Sequence, residues 1–387
     1  MENRDWMERY REELIDFYRQ GVRTRSYSDE EGEYARLILN KMKELGYEEA
    51  YIDRTGNVAG RVGDGDTVIH FDSHMDTVQV HDADQWSAPP FGAEIIGGMV
   101  YGRGSADMKG GLSASVYAAA LAKKQGFLEG KTVYVTGSVC EEHCDGVCLE
   151  HFYKDSGVCP DFCVICEPSD NVITLGHTGK VQARIIAHGV SAHGSAPEKG
   201  INAVYEMTEI IQRVEALNGE LQSGDGGTVV LSDISCEAAS LNAVPSRCEI
   251  YLDRRLRLGE SISQVEEELE RLIQGKRASW EPGDLHRISW TGAGMEYHPF
   301  HEPWKTDENH PLTLACNQAY ETVFGSRPGR YDFWDFGTNA VVPVSMGVPC
   351  IGFGPGEYKL AHMRDERCSA DQVFDACRFY TELIRCL

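Results

Sequence analysis

Three apolar runs in this chain, TVIHFDSHMD, TVYVTGSVCEE and FCVICEPSD, end alike: each begins as a strand fit for burial and leaves it through carboxylates or imidazoles. Helical patterns such as GLSASVYAAALAKK separate them. Apolar strands alternating with helices imply an α/β layer around a mostly parallel central sheet. In such a sheet ligands bind outside the C-terminal ends of the strands, so the three polar ends are expected to converge on one rim. The first run also carries His70, Asp72, His74 and Asp76 at a spacing of two, which puts all four on one side of an extended segment. A core does not tolerate that set unpaired.

Two helices open the chain. The second has a capping box, Ser28 with Glu31, and Gly46 follows its last apolar turn. AYIDRTGNVAGRV reads as a hairpin ahead of the first of the three strands. From about residue 179 the pattern changes: KVQARIIAHGV, TVVLSDIS, SRCEIYLDRRL and a final HRISWTG read as strands, with helices at NAVYEMTEIIQRVEAL and ISQVEEELERLIQG. The order β-α-β-β-α-β is that of a ferredoxin-like unit. At 387 residues the chain exceeds one ordinary core. Residues 179–292 are therefore expected to form a second domain inserted into a first one, made of residues 1–178 and 293–387, which resumes at the helix PLTLACNQAYETVF.

Charge narrows the partners. Asp and Glu outnumber Lys and Arg by 61 to 37, a net charge of −24 that repels nucleic acid and anionic membrane surfaces. MENRDWMERYREE lacks the apolar core of a signal peptide, and no apolar stretch of about 18 residues is present to span a bilayer. A cytoplasmic protein is expected. The 13 cysteines, an odd number without a secretory signal, read as free thiols in a reducing compartment. Structural zinc at Cys140, Cys144 and Cys148, or at Cys163 and Cys166, is the rival reading. The second pair lies inside FCVIC, which reads more simply as a buried strand.

His74 and Asp76 in HMD, Asp107 in YGRGSADMKGG, Glu141 and Glu142 in CEEHCDG, Glu167 in CEPSD and His362 in AHMRDE all fall at strand ends or in the loops that follow. Each has a plain structural alternative: an EE pair is usually solvated surface, and Asp107 in a Gly-rich loop can merely shape a turn. Together, two imidazoles and three carboxylates suffice for two ions sharing one bridging carboxylate, and this donor mixture suits zinc, cobalt or manganese. GRGSADMKGG is not a phosphate loop, because the Lys-Ser/Thr ending is absent.

With these motifs in place, the chain resembles the zinc-dependent amidohydrolases and metallopeptidases that include acetylornithine deacetylase, succinyl-diaminopimelate desuccinylase and the glutamate-releasing carboxypeptidases. Within them it is most similar to the selenium-metabolism-linked hydrolases. The resemblance covers nearly the whole chain through HMDTV, GRGSADMKGG, EE, EPS, GVSAHGSAPEKGINAV, NAVPSRCEIYLDRRL and FGPGEYKLAHMRDE. It implies a zinc-peptidase-like catalytic domain with an inserted lid and dimerisation domain, and two Zn²⁺ per subunit, with Co²⁺ or Mn²⁺ as substitutes. His74 and Glu167 would hold one ion and Glu142 and His362 the other, with Asp107 bridging. Asp76 would orient His74, and Glu141 would be the general base. His193 would reach the partner's site in a homodimer to stabilise the oxyanion. Arg255, with Asn242, resembles the family's clamp for a substrate carboxylate; in EIYLDRRL, Asp253 and Arg255 share a face while Arg254 points away.

One departure is Asn339 in WDFGTNA, where many relatives have an Asp in a GGTDA-like motif. The pattern gives His70 and Asp72 no ligand role. The expected activity is hydrolysis of an amide or peptide C–N bond in a small amino-acid derivative, as an N-acyl amino acid deacylase. A dipeptidase or carboxypeptidase of the same fold is the alternative, and a non-catalytic metal-stabilised binding protein the rival from another class. Glu141 speaks against that rival, because a purely structural metal site needs no carboxylate beside its ligands.

Overall fold

The apolar runs assemble two main sheets, each with its own core. The computed structural model describes Glu8, residues 10–224 and residues 226–387. Along the chain come α1 (Arg11–Arg23), α2 (Gly32–Glu44), β1 (Glu49–Ile52), β2 (Val58–Gly63), β3 (Thr67–His74), β4 (Glu94–Ile96), β5 (Met99–Tyr101), α3 (Gly110–Lys124), β6 (Lys131–Ser138), α4 (Glu141–Cys144), α5 (Val147–Ser156) and β7 (Phe162–Ile165). Then follow β8 (Thr174–His177), β9 (Gly179–His188), α6 (Ala203–Ser223), β10 (Thr228–Glu237), β11 (Arg247–Leu256), α7 (Ile262–Ile273), β12 (Ala278–Pro282), β13 (Leu285–Ile288) and β14 (Gly294–Tyr297). The chain ends with β15 (Phe300–His301), β16 (Trp304–Lys305), α8 (Pro311–Phe324), β17 (Asp332–Trp334), α9 (Val341–Ser345), β18 (Cys350–Gly352), β19 (Arg367–Ser369) and α10 (Ala370–Cys386).

The larger sheet has the order β1-β2-β6-β3-β7-β18-β8-β16, with β17 beside β8. Its centre, β6-β3-β7-β18, is parallel, and the hairpin β1–β2 and strands β8 and β16 run antiparallel at the margins. Burial on both faces explains why the central strands read as nearly unbroken apolar runs. The last six residues of β3 are all buried. Helix α3 is buried nearly all round, as a helix without a polar face must be, and packs in one core with Phe17, Tyr18, Tyr380 and Phe353. Lys109, fully buried, donates from Nζ to the main-chain oxygens of Gly21 (3.0 Å) and Thr24 (2.7 Å). It thereby satisfies carbonyls at the C-terminal end of α1 and fastens that helix to the loop that carries Asp107.

The second sheet is antiparallel in the order β10-β11-β9-β12, with α6 and α7 supplying apolar residues to its separate core. That order is the one a β-α-β-β-α-β unit produces. Its fourth strand is ASWEP, however, and not the expected HRISWTG. The residues His286, Arg287 and Ile288 pair instead with β14 in a two-stranded ribbon. Trp290 leaves that ribbon to lie against Gly56, whose carbonyl accepts from its indole N–H at 3.3 Å, and beneath the Arg36 guanidinium. Trp290 of HRISWTG thus packs against the core of the larger sheet, while ASWEP, with Pro282 and an alternation of half-buried and exposed residues, suits a sheet edge.

The expected capping box also gives way. Helix α2 starts without a side-chain cap. Ser28 Oγ donates to Asp76 Oδ2 at 2.7 Å, and Glu31 Oε1 accepts from the N–H groups of Asp29 (3.1 Å) and Cys140 (3.0 Å). The charge-assisted bond that Ser28 donates to a buried carboxylate is stronger than the neutral one it would accept from a helix N–H. Gly46 does end the helix in the left-handed region, at φ 81°. Cys163 is fully buried within β7 opposite Cys350 of β18, as the strand reading of FCVIC requires, and the cysteines are free thiols. Among the described residues no helix is long and apolar enough to cross a membrane.

Candidate active site

The C-terminal ends of β3, β6 and β7 deliver their polar residues to one rim. His74 closes β3 and turns Nδ1 to the main-chain oxygen of Asp76 (2.9 Å). Nε2 therefore faces the neighbouring carboxylates: Asp107 Oδ1 at 2.9 Å, Glu167 Oε1 at 3.5 Å and Glu141 Oε2 at 4.0 Å. On the other side His362 Nε2 lies 2.9 Å from Glu142 Oε2 and 3.4 Å from Asp107 Oδ2. Asp107 stands between the two imidazoles, and its peptide to Met108 is cis.

Asp76 differs from expectation. Its carboxylate is 3.6 Å from His74 Nδ1, beyond hydrogen-bond range, and accepts instead from the N–H groups of Glu141 (3.0 Å) and Glu142 (3.2 Å) and from Ser28. It caps the short helix α4 and so places both glutamates, while its backbone oxygen orients His74. Cys140, just before them, is held at φ 60°, a left-handed conformation that a non-glycine residue adopts at a cost.

The cluster carries unbalanced charge. Burial, with Glu167 and Asp145 nearby, raises the Glu141 carboxyl well above its ordinary value against the opposing pull of His74. Burial does the same to Glu167, with Asp107 and Glu142 adding to it, and to Glu142 beside Asp107. Burial would raise Asp107 too, but hydrogen bonds and charge from His362 and His74 hold it below the usual carboxylate range. Hydrogen bonds to Asp107 and Glu142 push His362 up to about 10. Burial works against charge on His74, yet Glu167, Asp107 and Glu141 lift it well above its ordinary value. Among the described residues no Lys or Arg forms an ion pair with any of the four carboxylates.

This donor set fits divalent cations. The metal-binding atoms of His74, Asp107 and Glu142, and likewise of His74, Glu141 and Glu167, lie within 4.8 Å of one another. Glu142 Oε1 is buried without a hydrogen-bond partner. Two imidazole nitrogens with several carboxylates match zinc and its first-row neighbours.

A cavity of about 290 Å³ opens onto the cluster, its far wall formed by Lys180, Arg255, Phe336 and Tyr358. Arg255 and Lys180 are register partners on β11 and β9. Arg255 is held by a two-point pair with Asp253 (2.7 and 3.0 Å), while Arg254 turns away to Glu260 and Glu268, as the alternation in EIYLDRRL requires. Lys180 donates to Asp145 Oδ1 at 2.6 Å, and the Tyr297 hydroxyl donates to the same oxygen. Lys180, Asp145, Phe336 and Tyr358 escaped the sequence reading: alternation gives the face of Lys180 but not the cavity that face meets.

Arg255 and Asn242 do not meet within one chain. Asn242 lines a different cavity, of about 590 Å³, together with His193 and Ser195. His193 Nδ1 lies 2.7 Å from Ser195 Oγ and accepts the Ser195 N–H at 3.2 Å.

His70 and Asp72 serve structure below the rim. His70 sits between the Tyr153 hydroxyl (2.6 Å) and Thr136 Oγ1 (2.9 Å), and burial lowers its pKa to about 4. Asp72 accepts from the hydroxyls of Thr136 (2.5 Å) and Ser138 (2.6 Å) and from the Asn339 amide (2.9 Å). Asn339 in turn accepts the Gly146 N–H at 2.6 Å.

The model of the peptidase family M20/M25/M40 matches residues 70–385. An Escherichia coli K12 protein, the uncharacterized protein YgeY, is 33% identical over 97% of this chain and 94% of its own length. A succinyl-diaminopimelate desuccinylase from Cereibacter sphaeroides is 29% identical over 94% of this chain and 96% of its own. Among solved structures, the Bacillus subtilis YXEP protein, described as a dinuclear metal binding peptidase from the M20 family, superposes with a TM-score of 0.70 at 15% identity over 98% of either chain. The rim of carboxylates and imidazoles on this sheet, and a match that runs from the third strand to the last helix, place the chain in the peptidase family M20/M25/M40, as a metal-dependent hydrolase.

Proposed function

We propose that this chain hydrolyses the amide or peptide C–N bond of a small amino-acid derivative bearing a carboxylate. Two divalent cations, zinc or its substitutes cobalt and manganese, would be held by His74 and Glu167, by Glu142 and His362, and by Asp107 between them. The observation that carries the reading is one cavity in which this cluster faces a guanidinium, Arg255, already fixed in direction by Asp253. When bound, the cations would polarise the scissile carbonyl and lower the pKa of the attacking water. Glu141 stands beside the set, 4.0 Å from His74 Nε2, where it takes the water's proton and passes it to the departing nitrogen. Arg255 pairs with the substrate carboxylate through its planar fork.

His193 and Asn242 act on the partner's cavity in a homodimer built through the lid and dimerisation unit, residues 179–292. The Ser195 N–H occupies Nδ1, so a neutral His193 carries its proton on Nε2, where it can donate to the oxyanion. The proposed setting is the cytoplasm, where the free thiols stay reduced. A panel of N-acyl amino acids, N-carbamoyl amino acids and dipeptides, offered to zinc- and cobalt-loaded protein, tests the reading and separates deacylase from dipeptidase. No turnover on any member would contradict it.

A further inference from the structure

Behind the cluster, Arg103 and Glu366 form a buried ion pair that touches neither the cavity nor the ligand atoms. Glu366 Oε1 accepts the N–H groups of Ala106 (2.9 Å) and Asp107 (3.1 Å), and Oε2 accepts the Gly104 N–H (3.1 Å) and Arg103 Nη1 (2.6 Å). One carboxylate thus gathers the whole loop that presents Asp107. The same guanidinium reaches the other loop, donating to the main-chain oxygens of Met363 and His362, each at 3.3 Å, with the Trp86 ring 5.3 Å from its centre.

The two sides of the cluster are not supported equally. His74 ends a strand hydrogen-bonded to a neighbour on each side. His362 sits in an irregular loop at φ 62°, and its side chain is 53% exposed, so apart from the carboxylates of Glu142 and Asp107 the ring is held through its backbone. The hydrogen bonds from Arg103 to the carbonyls of residues 362 and 363 supply that restraint, and Glu366 ties it to the loop of Asp107.

We propose that the Arg103–Glu366 pair is a positioning device that sets the affinity of the cation site formed by Glu142 and His362, and leaves the site of His74 and Glu167 little changed. This rests on the two-cation reading above. Groups that hold metal ligands in place without touching the metal typically alter affinity by about 10- to 100-fold when removed.

Zinc titration of metal-stripped protein against a chromophoric chelator tests the proposal, with wild type, Glu366→Gln and Arg103→Lys measured beside their melting temperatures. Glu366→Gln keeps an acceptor for Ala106 and Asp107 but turns an NH₂ toward Arg103 and the Gly104 N–H. Arg103→Lys keeps the charge but cannot span both loops, and it decides the question if the glutamine variant does not fold. Wild type should bind two equivalents. In the variants one equivalent should keep its affinity and the other weaken about 10- to 100-fold, with kcat restored at saturating zinc. Equal weakening of both equivalents, or of neither, overturns the positioning role. A wild type that binds fewer than two equivalents overturns the two-cation reading itself and this inference with it.

Discussion

Glu141 and Glu142 are neighbours in sequence with different surroundings, and the proposed chemistry depends on that difference. Glu142 meets His362 at 2.9 Å and keeps one buried oxygen without a partner, while Glu141 faces His74 from 4.0 Å, beside the set. Glu141→Gln should therefore retain both cations and lose roughly 10²- to 10⁴-fold in kcat, because only the proton acceptor is removed. Metal analysis beside kinetics checks this, and near-normal turnover would take Glu141 out of the mechanism. Arg255→Ala should cost roughly 2 to 5 kcal/mol in kcat/KM for a carboxylate substrate and almost nothing for the matching amide, which offers no charge to pair. Equal losses for both would point to damaged folding. The residue types of the candidate cluster were legible at this scale because carboxylates and imidazoles are donors that suit divalent cations. Partners were not: HFDSHMD places His70, Asp72, His74 and Asp76 on one face, yet two of them serve the packing below the rim and Asp76 caps the glutamate turn, since burial and hydrogen-bond partners come from strands distant in sequence.

Strands with a strong apolar pattern were read correctly from sequence because burial on both faces leaves little choice of residue. Weak patterns were not: ASWEP forms the fourth strand of the second sheet although only half-buried residues alternate with its exposed ones, and HRISWTG follows the pull of Trp290 toward the larger sheet. The turn between Ser28 and α2 shows the same limit, because the carboxylates of Asp76 and Glu31 replaced its expected local cap. Burial, with Asp76 beside it, raises Glu31 from 4.5 to about 8. The folded state thus holds a proton that the unfolded chain has released, so Glu31 destabilises the fold progressively as pH rises from 4.5 toward about 8. Glu31→Gln should remove up to about 1.4 kcal/mol of that loss per pH unit in this window, seen as a flatter midpoint-versus-pH curve in urea unfolding; identical slopes would contradict it. Asn339→Asp, which restores the residue of the GGTDA-like motif, should lower stability by roughly 1 to 3 kcal/mol at neutral pH, because a donor to Asp72 becomes a second buried carboxylate. A denaturant melt with unchanged midpoint would contradict that.

In the whole molecule, His193 and Asn242 line a cavity separate from the one that holds Arg255 and the acidic cluster. If they complete the partner's site, homodimers of His193→Ala and of Glu141→Gln should both be nearly inactive. After subunit exchange at equal ratio, about a quarter of wild-type activity should return, since half the dimers would be mixed and each mixed dimer has one intact site. Activity that stays at the level of the parents after proven exchange would exclude the in-trans role. The division of labour between two sheets could be foreseen from the change of pattern near residue 179, whereas the meeting of Lys180 and Arg255 with the cluster depends on how the β9–β11 strand pair faces the rim. The proposal as a whole turns on whether the cluster does its chemistry through bound metal. Zinc added stepwise to chelator-stripped protein, with hydrolysis of the best panel substrate recorded at each step, should give no turnover at the start and a plateau at two equivalents per chain; full turnover in the stripped protein would contradict it.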